Sequence, residues 1–152
     1  KVVASPEPKK IVQLKTIKEL VEKKEIVICC GGGGIPVIKE KGKWKGVEAV
    51  IDKDKASQLL ANSLNIKEMI ILTDVEFVYS NFNKKNQKKI RKISVKELKE
   101  MLEKGEFGKG SMKPKIEACI KFIESGGKKA VITSLEKLAD AVKGKTGTKI
   151  TK

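Results

Sequence analysis

Three short apolar runs, "EIVICC" (25–30), "EMIILT" (68–73) and "KAVIT" (129–133), alternate with stretches whose apolar residues recur at helical spacing. This alternation constrains the fold more than any other feature. Short, nearly continuous apolar runs between turn signals predict strands buried on both faces. Such strands, interleaved with amphipathic helices, build a mostly parallel sheet covered on both sides. The fold class is α/β.

The helices are legible by spacing. "KKIVQLKTIKELVEKK" follows the proline-bounded "SPEP" and lines up Ile17, Leu20 and Val21. "KASQLLANSLNI" places Ala56, Leu59, Leu60, Ser63 and Leu64 on one face. Ser94 and Glu97 form a capping-box pattern ahead of Val95, Leu98, Met101 and Leu102. Pro114 starts a helix with Ile116, Cys119, Ile120 and Ile123 on one side, which ends at "SGG". Ser134 is placed to cap a last helix carrying Leu135, Leu138, Ala139 and Val142, and "GTKIT" reads as an edge strand.

At 152 residues and 16.7 kDa, the chain is one domain with room for a sizeable core. No apolar run approaches the roughly 20 residues of a membrane span, and "KVVASPEPKK" lacks the apolar centre of a signal peptide. A soluble, cytoplasmic protein is expected. Cys29, Cys30 and Cys119 lack metal-site spacing, histidine is absent, and neighbours on a strand face opposite ways. Buried thiols and no structural metal are the expectation. The net charge of +15 raises an anionic partner, but acids alternate with the lysines in "VKELKEMLEKGE" and aromatics are only 4%, thin for base stacking. Nucleic acid is therefore a minor alternative.

Four segments carry candidate chemistry. "CCGGGGIPV" (29–37) lets backbone N–H groups approach an oxyanion, although it matches neither the P-loop nor the dinucleotide fingerprint. In "VIDKDKAS" (50–57), lysines precede a helix, where the dipole disfavours them; either they are held for a negative ligand or the run is solvated, with Asp54 as the helix cap. "ILTDVEFVYSNF" (71–82) ends a strand in Thr73 and Asp74 and offers Val75, Val78, Tyr79 and Phe82 as an apolar wall, with Phe77 assigned to the core. "GSMKPKIEAC" (110–119) combines Ser111 and Lys115 with the free N–H groups of a helix start.

In order, "GGGGIPV", "GVEAVIDKDKAS", "LTDVEFVY", "GSMKPKIEA" and "AVITSLEK" resemble the carboxyl-terminal half of the carbamate-phosphorylating branch of the amino acid kinase family. The resemblance runs across essentially the whole chain. It implies a three-layer α/β/α sandwich whose present half, residues 1–152, is a single nucleotide-binding unit. It also implies reversible phosphoryl transfer between carbamoyl phosphate and ADP, giving ATP and carbamate, with Mg2+ accompanying the nucleotide. Lys53 and Lys115 match the lysines that neutralise the transferring group, and Asp54 the carboxylate that orients them. Thr73, Asp74, Val75 and Tyr79 match the segment beside adenine and ribose; Gly110, Ser111 and Met112 match the loop over the nucleotide; Gly32 and Gly33 fall near the transferred group. Lys113 departs from the glycine common there. The family's amino-terminal "GGN"-type loop is missing, so a carboxyl-terminal fragment of a longer chain is expected, homodimeric when intact and inactive alone. A related kinase with another acceptor is the alternative.

Overall fold

The computed structural model describes residues 2–107 and 111–152. Helix α1 spans Leu14–Glu22, and a hairpin follows from β1 (Val37–Glu40) to β2 (Lys43–Gly46). Its two-residue turn has positive φ at Lys41 and Gly42, the backbone hand that matches the twist of paired strands. Then come α2 (Lys53–Ser63), β3 (Glu68–Thr73), a second hairpin from β4 (Val78–Ser80) to β5 (Lys88–Ile90), β6 (Lys92–Ser94) and α3 (Val95–Glu103). The remainder is α4 (Met112–Glu124), β7 (Lys129–Ser134), α5 (Leu138–Val142) and β8 (Thr148–Thr151).

The central sheet has the order β3-β7-β8-β6. β3 runs parallel to β7 and β6 parallel to β8, while β7 and β8 join antiparallel. The α/β class holds, with a mostly parallel but mixed sheet. On one face, Ala130, Ile132 and Ile150 are fully buried with Leu98 of α3 and Ile116 and Phe122 of α4. At roughly 25 cal/mol per Å² of apolar surface removed from water, this packing is the main stabilising term. Val131 faces the other way, in a recess shared with Ala141 of α5 and Gly147. A Cβ on Gly147 would lie 2.8 Å from the Val131 Cγ1, and its φ of +86° also favours glycine.

Several expectations meet corrections. "EIVICC" forms no strand: Ile26 and Ile28 are 95% and 97% exposed, because no neighbouring strand among the described residues offers it a ladder. "GTKIT" is interior rather than an edge, since β8 pairs on both sides. Its alternation looks edge-like only because Lys149 projects into the open recess while Thr148 and Ile150 are buried opposite. The periodic residues of the last helix stay in solvent, with Leu135, Leu138 and Val142 exposed and only Ala141 buried. Ser134 makes no side-chain cap there. In α2 the buried set is Asp54, Ala56, Gln58 and Leu60, and Ser63 is exposed. Of the thiols only Cys119 is buried. The Ser94–Glu97 capping box forms as predicted.

Candidate active site

Helix α2 follows the β1–β2 hairpin, and its N-cap is Asp52, not Asp54. The Asp52 carboxylate accepts hydrogen bonds from the N–H groups of Asp54 at 2.9 Å and Lys55 at 3.1 Å. That cap frees Asp54 to face inward, where its residue is only 8% exposed. Lys115, on the second turn of α4 and 5% exposed, donates to Asp54 Oδ2 at 2.8 Å across 61 residues of sequence. A buried ammonium is costly unless a carboxylate and good geometry compensate, and Asp54 supplies both. Lys53 lies 3.8 Å from the same oxygen with its side chain 60% exposed. Two cations of different accessibility therefore share one carboxylate.

The environment of this pair is felt by Cys119. Burial pushes its thiol well above the ordinary thiol range, and the charge of Asp54 adds to the shift while Lys115 opposes it. Cys30, at the glycine loop, is pushed up to about 11, first by burial and then by Cys29.

Gly32 and Gly33 belong to a short 3-10 turn, Gly31–Gly33, in which both have positive φ. A Cβ on Gly33 would lie 1.8 Å from the Ile51 carbonyl oxygen. Only glycine permits that approach, which fixes the loop against the residue preceding the cap of α2.

Between the carboxyl end of β3 and the start of α4 lies a cavity of about 420 Å³, within the ordinary size of small-molecule sites. Thr73, Asp74 and Val75, at the carboxyl end of β3, form one wall; Tyr79 and Phe82 form another, their ring centroids 6.1 Å apart. Ser111 and Met112 close it at the start of α4. Met112 and Lys115 are three residues apart, about 4.5 Å along a helix axis and on one face, so the cavity leads toward the buried cation. Ser111 gives no side-chain cap, and Gly110 lies outside the described residues. Phe77 is core, as expected, stacked under Lys89 and Arg91 at 5.5 and 5.4 Å, and Val78 is buried with it rather than lining the cavity. Lys113 points outward, 4.0 Å from Glu117.

Two lining residues escaped the sequence: Glu106 and Phe107. They follow α3 in a non-periodic turn, where no spacing signals a shared pocket.

The wall at Tyr79 is itself anchored. The Thr148 hydroxyl accepts from the Val78 N–H at 2.8 Å and donates to the Ile90 carbonyl at 2.5 Å, tying the β4–β5 hairpin to the sheet.

This arrangement, with strand ends meeting a cavity and a lysine–carboxylate pair bridging two helix starts, has counterparts among known proteins. The amino acid kinase family profile matches residues 3–134, and the chain belongs to that family. Within it, the chain is 51% identical, over its full length, to the carbamate kinase of Staphylococcus haemolyticus, covering 50% of that protein. It is also 51% identical to the carbamate kinase of Thermoplasma volcanium over 99% of itself and 49% of the relative. A solved structure of the Giardia lamblia carbamate kinase bound to AMP-PNP superposes with a TM-score of 0.95 at 44% identity, over 99% of this chain and 53% of that one. The chain spans about half the length of the curated relatives it matches.

Proposed function

We propose that the chain is the nucleotide-binding part of a carbamate kinase, catalysing reversible phosphoryl transfer between carbamoyl phosphate and ADP. One observation carries this: Lys115 and Lys53 both approach Asp54, and Lys115 lies one helical turn beyond Met112, which lines the cavity together with Thr73, Asp74, Val75, Tyr79 and Ser111. In the forward step a bond forms between the ADP β-phosphate oxygen and phosphorus, and the bond from phosphorus to the carbamoyl oxygen breaks. Carbamate leaves with that electron pair. Such transfer needs positioned positive charge more than covalent help. Lys115, fixed by Asp54, supplies a preorganised charge; Lys53, more exposed, supplies a mobile one. The glycine turn at Gly32 and Gly33 presents backbone donors beside the same helix start.

Among the described residues, no group of three or more Cys, Asp or Glu converges as a protein metal cage. Mg2+ bound chiefly through phosphates needs only one or two carboxylates, and Asp74 lines the cavity with its side chain open to solvent. When bound, the metal would neutralise phosphate charge. The relatives' greater length, the exposed Ile26 and Ile28, and the unburied stripe of α1 support the view that this part works against further chain, in an enzyme expected to be homodimeric.

In the full-length protein, Lys115→Ala should lower the rate of ATP formation from ADP and carbamoyl phosphate by about 10² to 10³. An unchanged rate would remove Lys115 from the chemistry.

A further inference from the structure

One oxygen of Glu106, Oε2, is buried at the cavity and has no hydrogen-bond partner among the described residues. An ionised carboxylate only accepts hydrogen bonds, and leaving a buried acceptor unmade is costly. The site therefore lacks a donor. Ionised phosphates cannot provide one and would be repelled by a second carboxylate, whereas the two lysines that attract phosphate lie toward Asp54. Within a nucleotide, the available donors are the ribose hydroxyls and the exocyclic amine of the base. Tyr79, Phe82 and Phe107 line the same cavity and suit the flat, apolar part of a nucleoside.

Resting on the reading of this cavity as the nucleotide site, we propose that Glu106 is a specificity-determining residue. It accepts a hydrogen bond from the nucleoside, so the cavity selects ligands by a donor that the nucleoside must bring. A site built around a polar group rejects an analogue lacking its complement far more strongly than an apolar pocket rejects a missing methylene.

The test is calorimetric affinity of the full-length protein for ADP, inosine diphosphate, 2′-deoxy-ADP and 3′-deoxy-ADP. The first analogue lacks the exocyclic amine; the others each lack one hydroxyl. In the unmodified protein, one analogue should bind about tenfold or more weakly than ADP, which identifies the donor. In Glu106→Ala that penalty should shrink to about threefold or less, with Glu106→Gln, which keeps the shape and an acceptor but loses the charge, in between. Equal affinity for all four ligands in the unmodified protein, or a penalty undiminished in both variants, would overturn the proposal. Tyr79→Ala separates the two levels. If it weakens ADP while the Glu106 variants leave the ratios unchanged, the cavity remains the nucleotide site and only the role of Glu106 falls. If ADP affinity ignores Tyr79→Ala, the cavity assignment falls and Glu106 with it.

Discussion

Asp54 is the residue on which the site turns, because among the described residues it is the carboxylate that pairs with a lysine only 5% exposed. Its removal leaves an ammonium buried without compensation. Breaking such a pair from one side typically costs about 3 to 5 kcal/mol, whereas replacing both partners by neutral groups costs much less. Asp54→Ala should therefore lower the urea-unfolding free energy by about that amount, and Asp54→Ala combined with Lys115→Met should recover most of it. A single-variant loss below about 1 kcal/mol would place the pair among weakly coupled surface contacts. Lys115 was legible as a lysine at a helix start, while Asp54 read locally as a helix cap and as an orienting carboxylate only by the resemblance. Their pairing across 61 residues came only from the resemblance, since nothing local links α2 to α4. Glu106 was not legible at all, because its relevance depends on the fold bringing the end of α3 to the mouth of α4.

At the scale of elements, the hairpin β4–β5 depends on a side chain outside itself. Thr148 is fully buried and serves two backbone groups of the hairpin. Thr148→Val keeps the shape but leaves the Val78 N–H and the Ile90 carbonyl without that partner, a loss of about 1 to 3 kcal/mol for each group left unmade. Thermal unfolding should report it, and ADP affinity should fall as well because Tyr79 follows Val78. An effect on stability with none on affinity would show that the hairpin does not position the wall.

The amino-terminal segment is tethered in another way. Glu7 accepts from Lys55 and, at 3.5 Å, from Lys121. The hydrogen bond that Lys55 donates holds the Glu7 carboxyl below its ordinary 4.5, and donating it to Glu7 raises Lys55 above its ordinary 10.5. A depressed carboxyl stabilises above its unfolded value and loses that contribution as pH falls through the folded value; a raised lysine does so below its unfolded value and loses it at higher pH. The tether is thus whole between 4.5 and 10.5. Hydrogen exchange, corrected for intrinsic rates, should show residues 2–10 losing protection below 4.5 while β7 keeps its own. Equal protection of the segment on both sides of 4.5 would dismiss the tether. Glu7 is exposed and Lys55 half-buried, so solvent screening confines the effect to the segment and not to global stability.

Elements were legible where period and burial agree. The strands β3 and β7 and the helices α3 and α4 carry clear patterns and a packed face. The failures share one cause, that an apolar pattern names a face without naming what covers it. Ile26 and Ile28 have the pattern of a buried strand and no ladder, and Leu135 and Val142 have that of a buried helix and no cover among the described residues.

For the molecule as a whole, the net charge of +15 invites a nucleic-acid reading that the distribution of charge weakens. Lysines pair with nearby acids at Lys15–Glu19, Lys18–Glu22, Lys99–Glu124 and Lys129–Glu68. Contacts with phosphates release counterions, so six of them would cost about 10³ in oligonucleotide affinity between roughly 50 and 200 mM salt. A nucleotide held in a cavity by a few groups should lose far less. Titrating the full-length protein with ADP and with a single-stranded oligonucleotide across that range separates the cases. Oligonucleotide affinity that survived the higher salt while ADP failed to bind would reverse the assignment.

The interior position of β8 bears on how the molecule tolerates being cut. A strand at the margin of a sheet can be trimmed with local damage, but among the described residues β8 alone joins β7 to β6. A protease or an engineered stop that removes residues from Thr148 onward would split the sheet in two. It would set β6 adrift from β3 and β7 and release the hairpin from its hydroxyl clamp. Any insertion or cleavage beside 148–151 must leave these residues free to pair, or the Tyr79 wall of the cavity is lost by damage inflicted elsewhere in the sheet.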